Sequence, residues 1–349
     1  MDSDRFRELL GAPGPFASVY FEDSDDDDDP SPQLELTWLA LRRELEQQGA
    51  DESITAAIEH AVMELRLPIG RGGRAVVATA GGVVLNEHLL RPTSGPIVRV
   101  SELPYIVPIL EFGVVHSDYL LVVADRTGAF ITSHVDATRF SEAVDSGALP
   151  GQRLPTVANR IGELVHDTSF GELFLVGDQE SRSNLLAALP EPIRKRMTTL
   201  PIADRRGGYD FEEIQRAIDT TLLWQRQGTM DTTAARFTDE MGRQSGLATE
   251  GLGAVCTALS QGLVDTLIIG DIDDATVVAD ESMTTVAATA AGLPRQSAAT
   301  AKTVRADEAL PLLAISAGAS VVRTDERISP ADGVGAILRC APTPDRPRR

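Results

Sequence analysis

The chain has 349 residues, and 52 acidic against 32 basic side chains leave it a formal charge of −20. A protein so negative is repelled by a phosphate backbone, which argues against broad non-specific binding to nucleic acid, DNA included. Its 42% hydrophobic content is that of a globular protein, while two cysteines and no apolar run of bilayer-spanning length leave no disulfide framework, four-cysteine metal site or membrane helix to expect.

At about 100–200 residues per domain, the length predicts two or three domains. The start, Met1-Asp2-Ser3-Asp4, has neither the basic nor the apolar stretch of a signal peptide, so a cytoplasmic location is expected. Residues 1–114 hold 20 acids and nine bases, much of the excess lying in Glu22-Asp23 and in the run 25–29. Basic patches stand out against this: Arg71 and Arg74, Arg194-Lys195-Arg196, Arg205-Arg206, and Arg346, Arg348 and Arg349 in the tail. Each is either a contact site or an ordinary solvated turn or terminus.

A short helical pattern at 6–10 precedes a strand at 16–21, rich in aromatic and β-branched residues. The acidic run that follows, closed by Pro30 and Pro32, reads as a loop. Apolar positions then recur at helical spacing from 34 to 67, as two helices broken near Gly49. Residues 74–79 and 83–86 read as a hairpin across Ala80-Gly81-Gly82, and 97–100 and 106–110 as further strands. A second segment opens near His116 with strands at 119–124 and 129–132, an irregular stretch at 141–155, a helix at 157–166, a strand at 172–177 and a helix at 181–189. A helix starting near Asp210 leads out of it. The third segment shows helical patterns at 232–244 and 249–263, strands at 264–270 and 275–279, a helix at 305–315, and strands at 319–322 and 333–339. The fold class expected is α/β and α+β, with domains at 1–114, 115–222 and 223–341 and a basic tail at 342–349.

No catalytic constellation emerges. Gly70-Arg71-Gly72-Gly73-Arg74 reads either as a flexible turn or as a basic loop gripping phosphate, but matches neither the dinucleotide fingerprint nor the P-loop. The five histidines lack metal-ligand spacing. Cys256 sits in a helical pattern as a small hydrophobe. Asp271, Asp273 and Asp274 lack the calcium-loop spacing and read as an acidic loop or helix cap. No cofactor is expected.

The stretches 246–252, 255–259 and 262–268 resemble the C-terminal domain of the archaeo-eukaryotic release factor and Pelota superfamily. Residues 14–21, Asn86-Glu87-His88-Leu89, Pro104-Tyr105-Ile106-Val107-Pro108, 305–311 and Asp332-Gly333-Val334-Gly335-Ala336 resemble its actinobacterial, mycobacterial branch, related to the subgroup typified by the hibernation factor Balon. The resemblance covers nearly all of residues 1–341. It implies a three-domain architecture: an N-terminal domain facing the decoding centre, a ribonuclease-H-like middle domain, here shortened, and an L7Ae-like C-terminal domain.

Termination factors of that superfamily release peptide with a Gly-Gly-Gln tripeptide in a middle-domain loop. Here the three Gly-Gly doublets are followed by Arg74, Val83 and Tyr209 instead, and the nearest remnant is Pro150-Gly151-Gln152-Arg153. Paired glycines let the backbone take an otherwise forbidden shape and present a donor to the ester, which one glycine after proline does not supply. The resemblance therefore implies a non-enzymatic factor that binds the 70S ribosome and ribosomal RNA near the A site during hibernation or stress, with an elongation factor as a further candidate partner. Candidate contacts are Arg71, Gly72, Gly73 and Arg74, the loop at Gly151, Gln152 and Arg153, and Arg194, Lys195 and Arg196. The alternatives are a rescue or peptidyl-tRNA-hydrolysing factor using a non-standard loop, and a scaffold that no longer binds ribosomes.

Overall fold

The computed structural model describes residues 6–23, 32–64, 72–113, 119–125, 128–135, 138–145, 153–168, 170–202, 209–281, 283–294, 298–325 and 327–341. The acidic run 25–29 and the basic tail lie outside them. Helix α1 (Arg7–Gly11) leads to strand β1 (Phe16–Asp23), followed by α2 (Pro32–Gln47), α3 (Glu52–Met63), β2 (Gly72–Thr79), β3 (Gly82–Leu89), β4 (Ile97–Ser101) and α4 (Val107–Phe112). The strands form an antiparallel sheet in the order β3-β2-β1-β4. Alternation along β1 and β2 sends Ala17, Val19, Phe21, Val76 and Ala78 to one face, where they pack on Trp38, Leu41, Leu45, Ile54 and Ile58 of α2 and α3. Phe16, Tyr20, Ala75 and Val77 go to the other face, in one core with Phe6, Leu9, Ile106 and Ile109.

The stretch 106–110, expected as a strand, is instead the start of α4. Pro108 stands in the first turn, where its fixed φ suits a helix and its missing N–H costs nothing. Val107, Pro108, Ile109 and Leu110 are all buried, so no periodicity distinguishes helix from strand.

The middle segment contains β5 (Tyr119–Ala124), β6 (Gly128–Val135), β7 (Thr138–Asp145), α5 (Arg153–Asp167), β8 (Glu172–Gly177), α6 (Gln179–Ala188), α7 (Glu191–Arg196) and β9 (Met197–Thr199). Its sheet runs β7-β6-β5-β8-β9, antiparallel through β7, β6 and β5 and parallel from β5 through β8 to β9. Part of the stretch expected to be irregular, 141–155, is the edge strand β7, which lacks the apolar run of β5.

The 33-residue helix α8 (Phe211–Arg243) joins the expected helix near Asp210 to the one at 232–244 without a break. Then come β10 (Ala248–Glu250), α9 (Leu252–Ser260), β11 (Val264–Ile269), β12 (Thr276–Ala279), β13 (Val286–Ala287), β14 (Lys302–Arg305), α10 (Ala306–Ser316), β15 (Ser320–Arg323) and β16 (Val334–Leu338). They form two sheets, β10-β16-β11-β15 and β13-β12-β14. The helix expected at 249–263 is shortened at its start: Gly251, at φ +87°, turns the chain out of β10, and Asp332 Oδ2 accepts from Leu252 N at 3.1 Å as α9 begins.

The chain divides into two compact units. Residues 1–66, 71–113 and 225–349 make one, and 67–70 with 114–224 make the other. The first and third segments of the sequence are thus one body with a continuous core, in which Ile106, Ile109 and Leu110 share a cluster with Leu310, Leu313 and Val321.

A polar staple crosses the same junction. Arg99 Nη1 on β4 donates to Asp307 Oδ2 at 2.8 Å and to Glu308 Oε1 at 3.4 Å, and its guanidinium carbon lies 3.6 Å from the Tyr105 ring centroid. Ser101 Oγ donates to Glu308 Oε2 at 3.0 Å, and Arg305 Nε and Nη2 donate to the two oxygens of Asp307. Glu308 is 2% exposed, and its burial pushes its carboxyl pKa up. Removing one partner of a buried charge leaves the other uncompensated. Arg99→Ala should therefore destabilise the protein by about 3 kcal/mol in urea unfolding, and Glu308→Gln in that background should restore part of the loss.

Candidate functional site

Of the basic loop at 70–74, Arg71 lies outside the described residues. Gly72 and Gly73 open β2, opposite Asp23 and Glu22 of β1. A Cβ on Gly72 would stand 2.1 Å from the Leu89 carbonyl oxygen and 2.6 Å from the His88 ring, and one on Gly73 would stand 2.9 Å from Pro92 Cα. These glycines admit close backbone packing inside a sheet rather than forming a phosphate nest.

Arg74, expected to meet phosphate, is 1% exposed. Its Nη2 donates to the Ala61 carbonyl at 2.6 Å and its Nη1 to that of Val62 at 3.4 Å, both in the last turn of α3, where a helix leaves acceptors without partners. Its Nε donates to Asn86 Oδ1 at 3.0 Å, and Asp23 Oδ2 lies 3.4 Å from Nη1. Arg74 therefore anchors α3 to the sheet and is not a surface contact. Burial pushes the pKa of His88, beside it, down.

In the middle unit, Gly151 and Gln152 lie outside the described residues, and Arg153 is the first residue of α5. Arg194, Lys195 and Arg196 form the last turn of α7, and all three are exposed. Lys195 pairs with Glu191 at 2.7 Å, one turn back, and Arg196 Nη2 donates to the Phe170 carbonyl. This turn is the only one of the candidate clusters that the described residues place at the surface.

Carboxylates that could have served chemistry are committed to structure. Asp125 and Asp178 follow the adjacent parallel strands β5 and β8, where catalytic acids often stand. Asp125 Oδ1 accepts from Gly128 N at 2.8 Å and closes a turn, while Asp178 Oδ1 accepts from Glu180 N and Ser181 N and caps α6. In the other unit Arg305 donates to Asp274 Oδ1 at 2.7 Å and to the Asp273 carbonyl, which holds the Asp274 carboxyl below its usual pKa. Among the described residues no group of three His, Cys, Asp or Glu could hold a metal. Cys256 is buried, and its thiol is pushed up to about 12, far from nucleophilic ionisation at neutral pH.

Two stability measurements follow. Arg74→Ala leaves the carbonyls of Ala61 and Val62 without their cationic donor and should cost about 2–4 kcal/mol in chemical denaturation, with Arg74→Lys recovering less than half. In the middle unit Asp219, to which Gln215 Nε2 donates at 3.0 Å, is pushed up to about 6 by burial. Its folded pKa exceeds the unfolded one, so the native state takes up this proton first, and its ionised form opposes folding above both values. Asp219→Asn should stabilise the protein at pH 7–8, and that gain should shrink as pH falls from about 6 towards 4.

Residues 152–243 match the model of bacterial archaeo-eukaryotic release factor family 2. Two Mycobacterium tuberculosis proteins, Rv2629 and MT2704, are each 37% identical to the chain over 366 residues, covering 98% of this chain and 98% of theirs. Among solved structures, ribosome-bound archaeal Pelota is similar at a TM-score of 0.42 and 14% identity, over 97% of this chain and 94% of that one. Pelota of Archaeoglobus fulgidus is similar at 0.37 and 12%, over 77% and 79%. Dom34 of S. cerevisiae is similar at 0.40 and 10%, over 99% and 94%. Full-length identity at this level shows common descent: the chain belongs to the family of these mycobacterial proteins.

Proposed function

We propose that the protein is a non-enzymatic translation factor that binds the ribosome and occupies the A site during hibernation or stress. The observation that carries this reading is the match of residues 152–243 to a release-factor family in a chain without Gly-Gly-Gln. The middle unit supports it with a strand order, β7-β6-β5-β8-β9, suited to a ribonuclease-H-like domain. The packing of α9 and α10 with β11 and β16 suits an L7Ae-like one. Under this reading the middle unit meets ribosomal RNA through the exposed last turn of α7. An elongation factor is a further candidate partner.

Co-sedimentation with 70S ribosomes at graded salt tests the proposal. Saturable binding to vacant ribosomes, prevented by A-site tRNA, is the expected result. No binding at low salt, with stationary-phase ribosomes and elongation factor supplied, would remove it, and released peptide would assign a hydrolytic rescue factor instead. Arg194→Ala with Lys195→Ala should weaken binding and lower the slope of log affinity against log salt by about 1–2.

A further inference from the structure

Strand β4 is a free edge of its sheet: it pairs with β1 on one side and, among the described residues, with no strand on the other. Its stretch Ile97-Val98-Arg99-Val100 is almost wholly β-branched, the composition of a strand that pairs readily. Val98 and Val100 pack on the core beneath α2 and α3, which holds the strand in pairing geometry. Free edges are usually guarded by proline or by charge. Pro96 has no N–H to offer just before the strand, but the one charge within it, on Arg99, is held by Asp307 and Glu308.

Gln48, just past the last residue of α2, stands where a neighbouring strand would lie. Its Nε2 donates to the Val98 carbonyl at 2.9 Å, and its Oε1 accepts from Val100 N at 3.0 Å. A carbonyl and an N–H two residues apart are the pair that one residue of a parallel strand bonds, so the amide reproduces a single residue of such a strand opposite Arg99. Its Nε2 also donates to Glu44 Oε1 at 2.9 Å, one turn back, which sets the way round that the amide faces. Both donors and the carbonyl of this amide are thereby engaged, although the residue is exposed.

We propose that Gln48 guards this edge, occupying backbone groups through which β4 would otherwise add the β4 strand of a second copy. That strand fits because Val98 and Val100 of two copies offer each other the same donors and acceptors about a two-fold axis. The charge of −20 on each copy opposes their approach, and salt screens it. The inference does not depend on the A-site reading and is tested without ribosomes. The measurement is sedimentation velocity of the full-length protein at graded concentration and salt, with hydrogen exchange followed over residues 97–101. Gln48→Ala should self-associate at least about tenfold more tightly than the unmodified protein once salt is raised. Its melting temperature should change little, because the side chain is exposed. Gln48→Asn, whose amide is one methylene too short to reach both groups, should behave in the same way.

In both variants the amides of Val98 and Val100 should exchange freely in the monomer and become protected as the protein associates. Self-association no tighter than that of the unmodified protein would overturn the proposal. So would association that leaves those two amides unprotected, because the contact would then lie elsewhere on the surface.

Discussion

The Arg99 guanidinium joins parts of the chain 208 residues apart, and the architecture of the larger unit depends on what it holds. Its charge is shared by Asp307 and Glu308 and capped by the face of Tyr105, so two acids can stand in the first turn of α10 with little water around them. Acids are favoured there by the helix dipole, but burial opposes them, and the arginine decides the balance. Around this contact the apolar core runs without interruption from the N-terminal sheet through α4 to α10 and β15. The staple and core reinforce each other: the core excludes water from the ion pairs, and the ion pairs tie β4 to the start of α10.

Basic residues in this acidic chain therefore divide into those turned inward and those turned outward. Arg74 lies under α3, Arg99 under α10, and Arg305 ties the loop at 273–274 to the same helix. Each neutralises a helix end or a carboxylate that burial would otherwise make costly. The last turn of α7 belongs to the second group, held loosely by Glu191 and a single carbonyl and presenting its charge to solvent. A net charge of −20 thus coexists with a local cationic surface on the last turn of α7.

Periodicity made most elements legible before the structure, from the hairpin of β2 and β3 to the strand β11. Its failures have particular causes. Residues 106–110 are buried all round, which erases the difference between helix and strand. The residues of β10 continue a helical pattern until the positive φ of Gly251 breaks it. β7 is an edge strand without an apolar run, and α8 carries polar residues on too many sides for its length to show. The candidate site was less legible, since a guanidinium on phosphate and one on helix carbonyls have the same local sequence. Only the fold tells Arg74 from Arg194. Arg305, Asp307 and Glu308 lay in a recognisable family stretch, but their partner Arg99 is too distant in sequence for any local pattern to pair them.

The larger unit is split by the insertion of residues 114–224, and this sets an order on its birth at the ribosome. The N-terminal strands are synthesised first, and with α2 and α3 they can complete one face of their sheet at once. The other face belongs to a core whose remaining members, from Val255 to Leu338, emerge last. Between the two events the nascent chain carries Phe16, Tyr20, Ala75 and Val77 beneath only α1 and α4, while the inserted unit, whose own core is local, has every residue it needs. Closing the larger unit is then a long-range event, slowed by the entropy of bringing distant segments together. The half-covered sheet is the nascent state most in need of shielding from aggregation, and a truncation at residue 224 would leave it permanently in that condition.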